Sequence, residues 1–249
     1  MLGIIIQARL GSKRLPNKMI LPFYGDKGIF ELLIERIKNA NLNVHVILAT
    51  TTSSVDNKLV EIAKKNGIKA FRGSEINVLE RYIKASEYYG FEKMIRICAD
   101  NPFLDLNALR HQIKEFEKSD ADYLCYARIN GTPTIKTHFG FWAEGVKLKA
   151  LKKIASVTDA GLYKEHVTNY IYTHPDQFSI VKLTIPSEVD QMDLRLTIDT
   201  AEDFNIAQSI YEKLIENSIP FNSTAIRHFI ESRTDWLRVM ISEIKKNEK

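Results

Sequence analysis

What most constrains this chain is a rhythm. Through the first 127 residues, short apolar runs alternate with amphipathic stretches of helical period. Ile4 to Gln7 reads as a strand, and Ile29, Leu32, Leu33 and Ile37 share one helical face. Val44 to Thr50 is a second buried strand. Leu59, Ile62 and Ala63 face inward on the next helix, which Ser54 or Asp56 is placed to cap and Gly67 to end. Ile68 to Phe71 is a third strand, and Val78, Leu79, Tyr82 and Ile83 mark a helix closed by Gly90. Met94 to Ala99 is a fourth strand. Leu106, Leu109, Ile113 and Phe116 form a helical stripe, and Ala121 to Ala127 is a fifth strand. Apolar strands separated by helices predict an α/β fold, a mostly parallel sheet with helices on both faces. Such sheets bind ligands beyond the carboxyl ends of their strands. The polar segments there are 7–18, 50–54, 72–77 and 100–105.

The rhythm lapses after Ala127. Arg128 to Thr137, with Gly131-Thr132-Pro133, reads as a loop or a small additional lobe. His138 to Glu144 predicts a strand, Val146 to Ala155 a helix, and Tyr163 to Thr173 a helix. Ser179 to Ile185 and Leu194 to Ile198 read as strands, and Ala201 to Asn217 and Thr224 to Lys246 as helices. Glu248-Lys249 is expected to fray. No repeat, low-complexity tract or long linker divides the 249 residues, so one domain is expected.

Composition excludes several classes. Against 31 acidic residues stand 35 basic ones, and the resulting +4 is too small an excess to imply nucleic acid. Cys98 and Cys125 each lie in an apolar run and read as buried thiols of a reducing compartment. No Cys/His spacing suggests zinc. Met1-Leu2-Gly3-Ile4 runs straight into a strand, which is not a signal peptide, and no apolar run approaches the length of a membrane span. A cytoplasmic protein is expected, with neither membrane nor nucleic acid as a partner.

The loop after the first strand carries the chemistry. Arg9, Gly11, Ser12, Lys13, Arg14 and Lys18 put four cations and a backbone freed by glycine where a polyphosphate could sit, the alternative being a solvated cationic turn. The spacing matches neither G-x-x-x-x-G-K-[ST] nor G-x-G-x-x-G. Two further segments end strands in carboxylates. In Cys98-Ala99-Asp100-Asn101-Pro102-Phe103-Leu104-Asp105, Asp105 suits a helix cap and Asp100 a hard cation such as Mg²⁺, with capping the alternative for Asp100. In Asp193 to Phe204, Thr200 and Asp203 suit a capping box, whereas Asp199 is free to share one Mg²⁺ with Asp100.

Five ordered blocks then suggest a kinship. They are Gln7-Ala8-Arg9-Leu10-Gly11-Ser12-Lys13-Arg14-Leu15-Pro16-Asn17-Lys18, Arg72-Gly73-Ser74-Glu75-Ile76-Asn77-Val78-Leu79-Glu80-Arg81-Tyr82, Ala99-Asp100-Asn101-Pro102, Glu165-His166-Val167-Thr168, and Leu194 to Phe204. Together they resemble the cytidylyltransferases that activate sugar acids, which include the CMP-sialate and CMP-Kdo synthetases. The likeness is strongest to the SpsF-type spore-coat polysaccharide branch. The resemblance implies a three-layer, Rossmann-like nucleotide-diphospho-sugar-transferase fold, CTP as donor, Mg²⁺ as cofactor and a homodimer. It implies a nucleotide-binding half, 1–127, and an acceptor-binding and dimerisation half, 128–249. Gln7, Ala8, Arg9, Gly11, Ser12, Arg14 and Lys18 would hold the nucleotide, with Thr50, Arg72, Gly73 and Ser74 lining cytosine and ribose. Lys18, Arg9 and Asp100 would be catalytic, with Asp100 and Asp199 on the metal. Glu165 and His166 would lie towards a sugar-acid acceptor of nonulosonate type, in surface-polysaccharide biosynthesis. Related sequences often carry Asp at Asn77 and Pro at Ala201.

Other residues read more plainly. Tyr126, Arg128 and Asn130 follow a strand end, and Tyr126 and Asn130 are taken as acceptor contacts. Adjacent helical residues point apart, so at most one of Glu165 and His166 is expected to face the site. His138 and His174 read as structural, Phe139 and Trp142 as core or dimer face, and Arg233, Trp236 and Arg238 as an amphipathic helix. No Ser, Cys or His stands as a nucleophile, so direct transfer is expected. The alternatives are a nucleotide-sugar glycosyltransferase, whose Asp-x-Asp candidate is Asp120-Ala121-Asp122, CTP-dependent activation of a phosphorylated small alcohol or amino-acid derivative, and a non-catalytic nucleotide-sensing protein.

Overall fold

The structure, a computed structural model, describes residues 1–247, and the fraying expected at Glu248-Lys249 lies outside the described residues. Its elements are β1 (Leu2–Gln7), α1 (Ile29–Asn39), β2 (His45–Thr51), α2 (Asn57–Lys65), β3 (Lys69–Gly73), α3 (Val78–Tyr89), β4 (Lys93–Cys98), α4 (Leu106–Lys118), β5 (Tyr123–Ala127), β6 (Glu144–Lys147), α5 (Leu148–Val157), α6 (Gly161–Glu165), α7 (Asn169–Thr173), β7 (Ile180–Thr184), α8 (Ser187–Asp190), α9 (Ala201–Glu216), α10 (Ser223–Glu231) and α11 (Thr234–Lys246). The seven strands form one sheet, ordered β3-β2-β1-β4-β6-β5-β7. All neighbours run parallel except at β6, which is antiparallel to both β4 and β5. β6 comes from the second half of the chain and lies between two strands of the first.

Alternation along the strands builds the layers. Ile4 and Ile6 of β1 pack with Phe30, Leu33 and Ile37 of α1 and Ile113 and Phe116 of α4. Ile5, one residue out of phase, faces the other side with Leu79 and Tyr82 of α3 and Leu151 and Ile154 of α5. A third cluster gathers Phe139, Phe141, Leu194, Leu196 and Ile198 under α9 and α10. Each layer is tied by local chemistry. Gly90 ends α3 at φ +71°, a conformation that favours glycine, and the Asp105 carboxylate caps α4 by accepting from the Asn107 and Ala108 amides. Thr200 and Asp203 form the expected capping box of α9.

Four elements differ from the sequence expectation. Residues 138–143 make no ladder, and pairing begins at Glu144. Phe139, Phe141 and Trp142 are all buried, so aromatic packing rather than strand alternation explains that run, and they belong to the core. Leu194 to Ile198 joins no strand ladder. It is held by single backbone bonds, with Leu196 N donating to His138 O and Ile198 N to Asp100 O. Gly140, at φ +71°, lets the two segments touch, because a Cβ there would sit 3.0 Å from the Leu196 backbone. The 163–173 helix is broken at His166 to Thr168, and the 224–246 helix at Ser232 and Arg233.

Candidate active site

Beyond the carboxyl ends of β1 and β4 opens a cleft of about 610 Å³. At its head the Lys18 ammonium lies 3.1 Å from Asp100 Oδ2 and 3.6 Å from Asp199 Oδ1, and donates to the Ile198 carbonyl at 2.5 Å. Burial alone would lower the Lys18 pKa. The Asp100 and Asp199 carboxylates outweigh it and hold the ammonium above its ordinary value. Arg14 reaches Asp199 Oδ1 at 2.9 Å and donates to Asn247 Oδ1 at 2.8 Å.

The loop that carries these cations is folded on one peptide. The Leu10 carbonyl accepts from the Ser12 amide at 2.9 Å and the Asn17 amide at 3.2 Å, so residues 10–17 close into a ring. Asn17 sits at φ +60°, a left-handed turn that asparagine tolerates, and Lys18 follows it into the cleft. The Leu10 amide donates to Asp56 Oδ1 at 2.8 Å.

Asp199 is set by the chain beneath it. Arg195 Nε and Nη2 each donate at 2.7 Å to the Asp203 carboxylate, a bidentate pair. Asp203 Oδ2 also accepts the Asp199 and Thr200 amides at 2.9 and 3.0 Å. Burial would raise the Asp203 pKa, but Arg195 and those amides bring it below the ordinary 3.8. The Ile198–Asp100 backbone bond then brings Asp199 beside Asp100.

A buried ionic network lies under the floor. Arg96 donates to Glu144 Oε2 at 2.5 Å and to Gln7 Oε1 at 3.3 Å. Glu144 also accepts from Tyr123 Oη, and from Thr168 Oγ1 at 2.9 Å. Burial would lower the Arg96 pKa, and its partners, Glu144 among them, hold it well above the ordinary value. Thr168 thereby ties the 165–168 segment to the sheet. Because α6 ends at Glu165 and His166 leaves helical geometry, both side chains line the cleft, contrary to the expectation for adjacent helical residues.

Of the residues singled out from sequence, Gln7, Ala8, Arg9, Ser12, Arg14, Lys18, Asp100, Asp199, Glu165 and His166 come together here. Gly11 closes the loop, and a Cβ on it would lie 3.3 Å from Glu75 Oε1. Four others do not line the cleft. The Thr50 hydroxyl is wholly buried and donates to Asp56 at 3.0 Å. Arg72 is spent on the Thr51 and Ser53 carbonyls and on Asn57 Oδ1. The Gly73 carbonyl takes the Thr52 amide, and Ser74 Oγ takes the Asn77 amide. Asn77 caps α3 through the Glu80 amide, a role that Asp fills equally, which accounts for the departure at that position. Asp56 does not cap α2 through its side chain but binds Leu10, Thr50 and Thr51.

Tyr126 and Asn130 also lie elsewhere. The Tyr126 hydroxyl donates to the Ala108 carbonyl and meets His111 Nδ1 at 3.1 Å, turned into the core. Asn130 accepts the Thr132 amide in an exposed turn and borders a separate cavity with Arg128. Sequence reasoning missed Glu75 and Ile76 on one wall and Arg96 in the floor. The signal for Arg96 was a lone cation inside the apolar run Met94 to Cys98. It also missed a second cavity of about 560 Å³, which shares Arg14, Arg96, Asp100, His166 and Asp199 with the first and adds Lys136, Asn169, Tyr172 and Thr197.

The comparisons agree with this geometry. The sequence profile described as cytidylyltransferase matches residues 3–226. The spore coat polysaccharide biosynthesis protein SpsF of Bacillus subtilis is 32% identical over 216 residues, 84% of this chain and 85% of that protein. A pseudaminic acid cytidylyltransferase of Campylobacter jejuni is 29% identical over 132 residues, 48% of this chain and 55% of that protein. The solved structure of a cytidylyltransferase from Leptospira borgpetersenii superposes with a TM-score of 0.80 at 28% identity, covering 95% of this chain and 96% of that one. The chain belongs to the cytidylyltransferase family and has the nucleotide-diphospho-sugar-transferase-like fold of a nucleotidyltransferase.

Proposed function

We propose that the protein transfers CMP from CTP to a sugar acid of nonulosonate type and releases pyrophosphate. The observation that carries this reading is the Lys18 ammonium between Asp100 and Asp199 at the head of the cleft, with Arg9, Ser12 and Arg14 beside it. The family, and relatives whose names refer to polysaccharide biosynthesis and pseudaminic acid, support the acceptor class.

In this reading the triphosphate lies along the loop, with Arg9 and Arg14 on its oxygens. Lys18 moves from the carboxylates to the α-phosphate and stabilises the charge that builds there as the acceptor hydroxyl attacks in line. The acceptor occupies the second cavity, across the Asp100–Asp199 pair, with His166 and Lys136 on its polar groups. Mg²⁺ fits the donor set. Two carboxylates already converge on one cation, and this ion is ordinarily held by one or two carboxylates plus substrate phosphates. Asp100 and Asp199 would hold the ion, and among the described residues no third acidic, His or Cys side chain joins them. When bound, Mg²⁺ would offset the charge of the phosphates and of the leaving pyrophosphate. The glycosyltransferase alternative is disfavoured by position. Asp120 and Asp122 precede β5 at the opposite end of the sheet and pair with Lys147 and Lys149.

The test is pyrophosphate release with CTP, Mg²⁺ and a panel of nonulosonic acids, phosphorylated alcohols and amino-acid derivatives. Release with a sugar acid supports the reading. Release only with another class moves the acceptor, and free nucleoside diphosphate from a nucleotide sugar overturns the reaction.

A further inference from the structure

The buried carboxylate of Asp56 does not line the cleft, yet it holds the amide of Leu10, the residue whose carbonyl closes the cation loop. Its Oδ1 accepts the Leu10 amide across 46 residues of sequence, at 2.8 Å. Its Oδ2 accepts the Thr51 amide at 3.2 Å and the hydroxyls of Thr50 and Thr51. Four donors thus point at one carboxylate that is 1% exposed. With its N–H fixed, Leu10 presents its carbonyl to the Ser12 and Asn17 amides, the two bonds that close the loop. Lys18 leaves that loop directly. The far side of Asp56 is rigid as well. Thr51 and Ser53 receive the Arg72 guanidinium on their carbonyls, at 2.9 and 2.7 Å, and Ser53 N donates to Thr51 Oγ1.

We infer that Asp56, braced by Arg72, is the positioning residue of the triphosphate loop, acting through the Leu10 peptide rather than on the nucleotide. The inference rests on the reading of that loop as the CTP site. A carboxylate suits this task because it accepts from four donors at once, whereas an amide of the same shape turns an NH₂ towards some of them. It also puts a negative charge behind an anion-binding loop, a placement that nucleotide contact alone does not account for.

The test uses the full chain and compares Asp56→Asn with Ile154→Val, a core change on the opposite face of the sheet that serves as a stability control. Amide hydrogen exchange is followed over residues 8–19, and CTP binding with Mg²⁺ is measured by titration calorimetry. In Asp56→Asn the loop amides are expected to lose protection and the CTP Kd to rise about tenfold, the size of one lost charge-assisted hydrogen bond. The control is expected to lower Tm with loop protection and Kd unchanged. Arg72→Lys, which keeps the charge but not the forked contacts, is expected to shift both readouts in the same direction by less, and it serves if Asp56→Asn does not fold. Loop amides that stay protected in a folded Asp56→Asn protein, or that lose protection equally in the control, overturn the inference. If wild type does not bind CTP, the functional reading fails, while loss of loop protection still supports the positioning role.

Discussion

Replacing Lys18 by methionine keeps the unbranched apolar stem of the side chain and removes its ammonium. Lys18 is 6% exposed, and its ammonium bonds Asp100 at 3.1 Å and the Ile198 carbonyl at 2.5 Å, with Asp199 at 3.6 Å. Losing a buried bond to a charged group is expected to destabilise the fold by about 2–3 kcal/mol. Arg14 still serves Asp199, and Asp100 is partly open to water, so larger figures for fully buried pairs do not apply. In a chain of this size that lowers Tm by about 4–12 °C. Under the proposed reaction the effect on turnover is larger, because Lys18 is the buried cation that would meet the α-phosphate. Removing a single donor of this kind typically slows kcat by about 10²–10³-fold, or ~2.7–4 kcal/mol of barrier. Thermal scanning measures the first effect, and pyrophosphate release at saturating CTP, well below the new Tm, measures the second. A Lys18→Met protein that is folded and turns over within threefold of wild type refutes the reasoning.

Other perturbations separate the parts of the site. Thr168→Val removes the bond between the 165–168 segment and the Glu144 carboxylate, and is expected to lower Tm by about 3–12 °C and raise the acceptor KM while CTP binding by calorimetry is unchanged. Tyr126→Phe loses the bond to the Ala108 carbonyl in the core, so Tm is expected to fall slightly with both KM values within twofold in steady-state kinetics. The pairing of Asp203 with Arg195 is acid-sensitive. The Asp203 pKa in the folded state lies below the ordinary 3.8, so its stabilisation is complete above that value and is lost as pH falls through the folded one. Denaturant midpoints of wild type and Asp203→Asn are expected to converge as pH drops below about 4 and to differ near neutrality.

The first half of the fold was legible because its strands are buried on both faces. Continuous apolar runs such as Ile4-Ile5-Ile6, set between helices of clean period, leave one arrangement open. After Ala127 the signals weaken for identifiable reasons. Phe139, Phe141 and Trp142 fill a core without alternating across a sheet, and Leu194 to Ile198 alternates without a partner strand. β6 is four residues long, Glu144–Lys147, too short for its period to stand out. At the site, position beyond the ends of β1 and β4 pointed to the Lys18 loop and to Asp100, whereas Asp199 follows an unpaired run and is brought in by the Ile198–Asp100 backbone bond. Local reasoning failed where a side chain works at long range. Asp56 precedes a helix and looks like its cap, but its partner is 46 residues upstream. Arg72 looks like a ligand-binding cation, but three protein oxygens of the 51–57 segment satisfy it.

In the proposed site the cation loop, Asp100 and Asp199 together hold one triphosphate. A crystal structure with CTP and Mg²⁺ tests it most directly. The expected result is the α-phosphate within hydrogen-bonding distance of Lys18 Nζ, the metal on Asp100 and Asp199, and the second cavity left open for the acceptor. A triphosphate bound away from Lys18, or a metal that touches neither carboxylate, would contradict it.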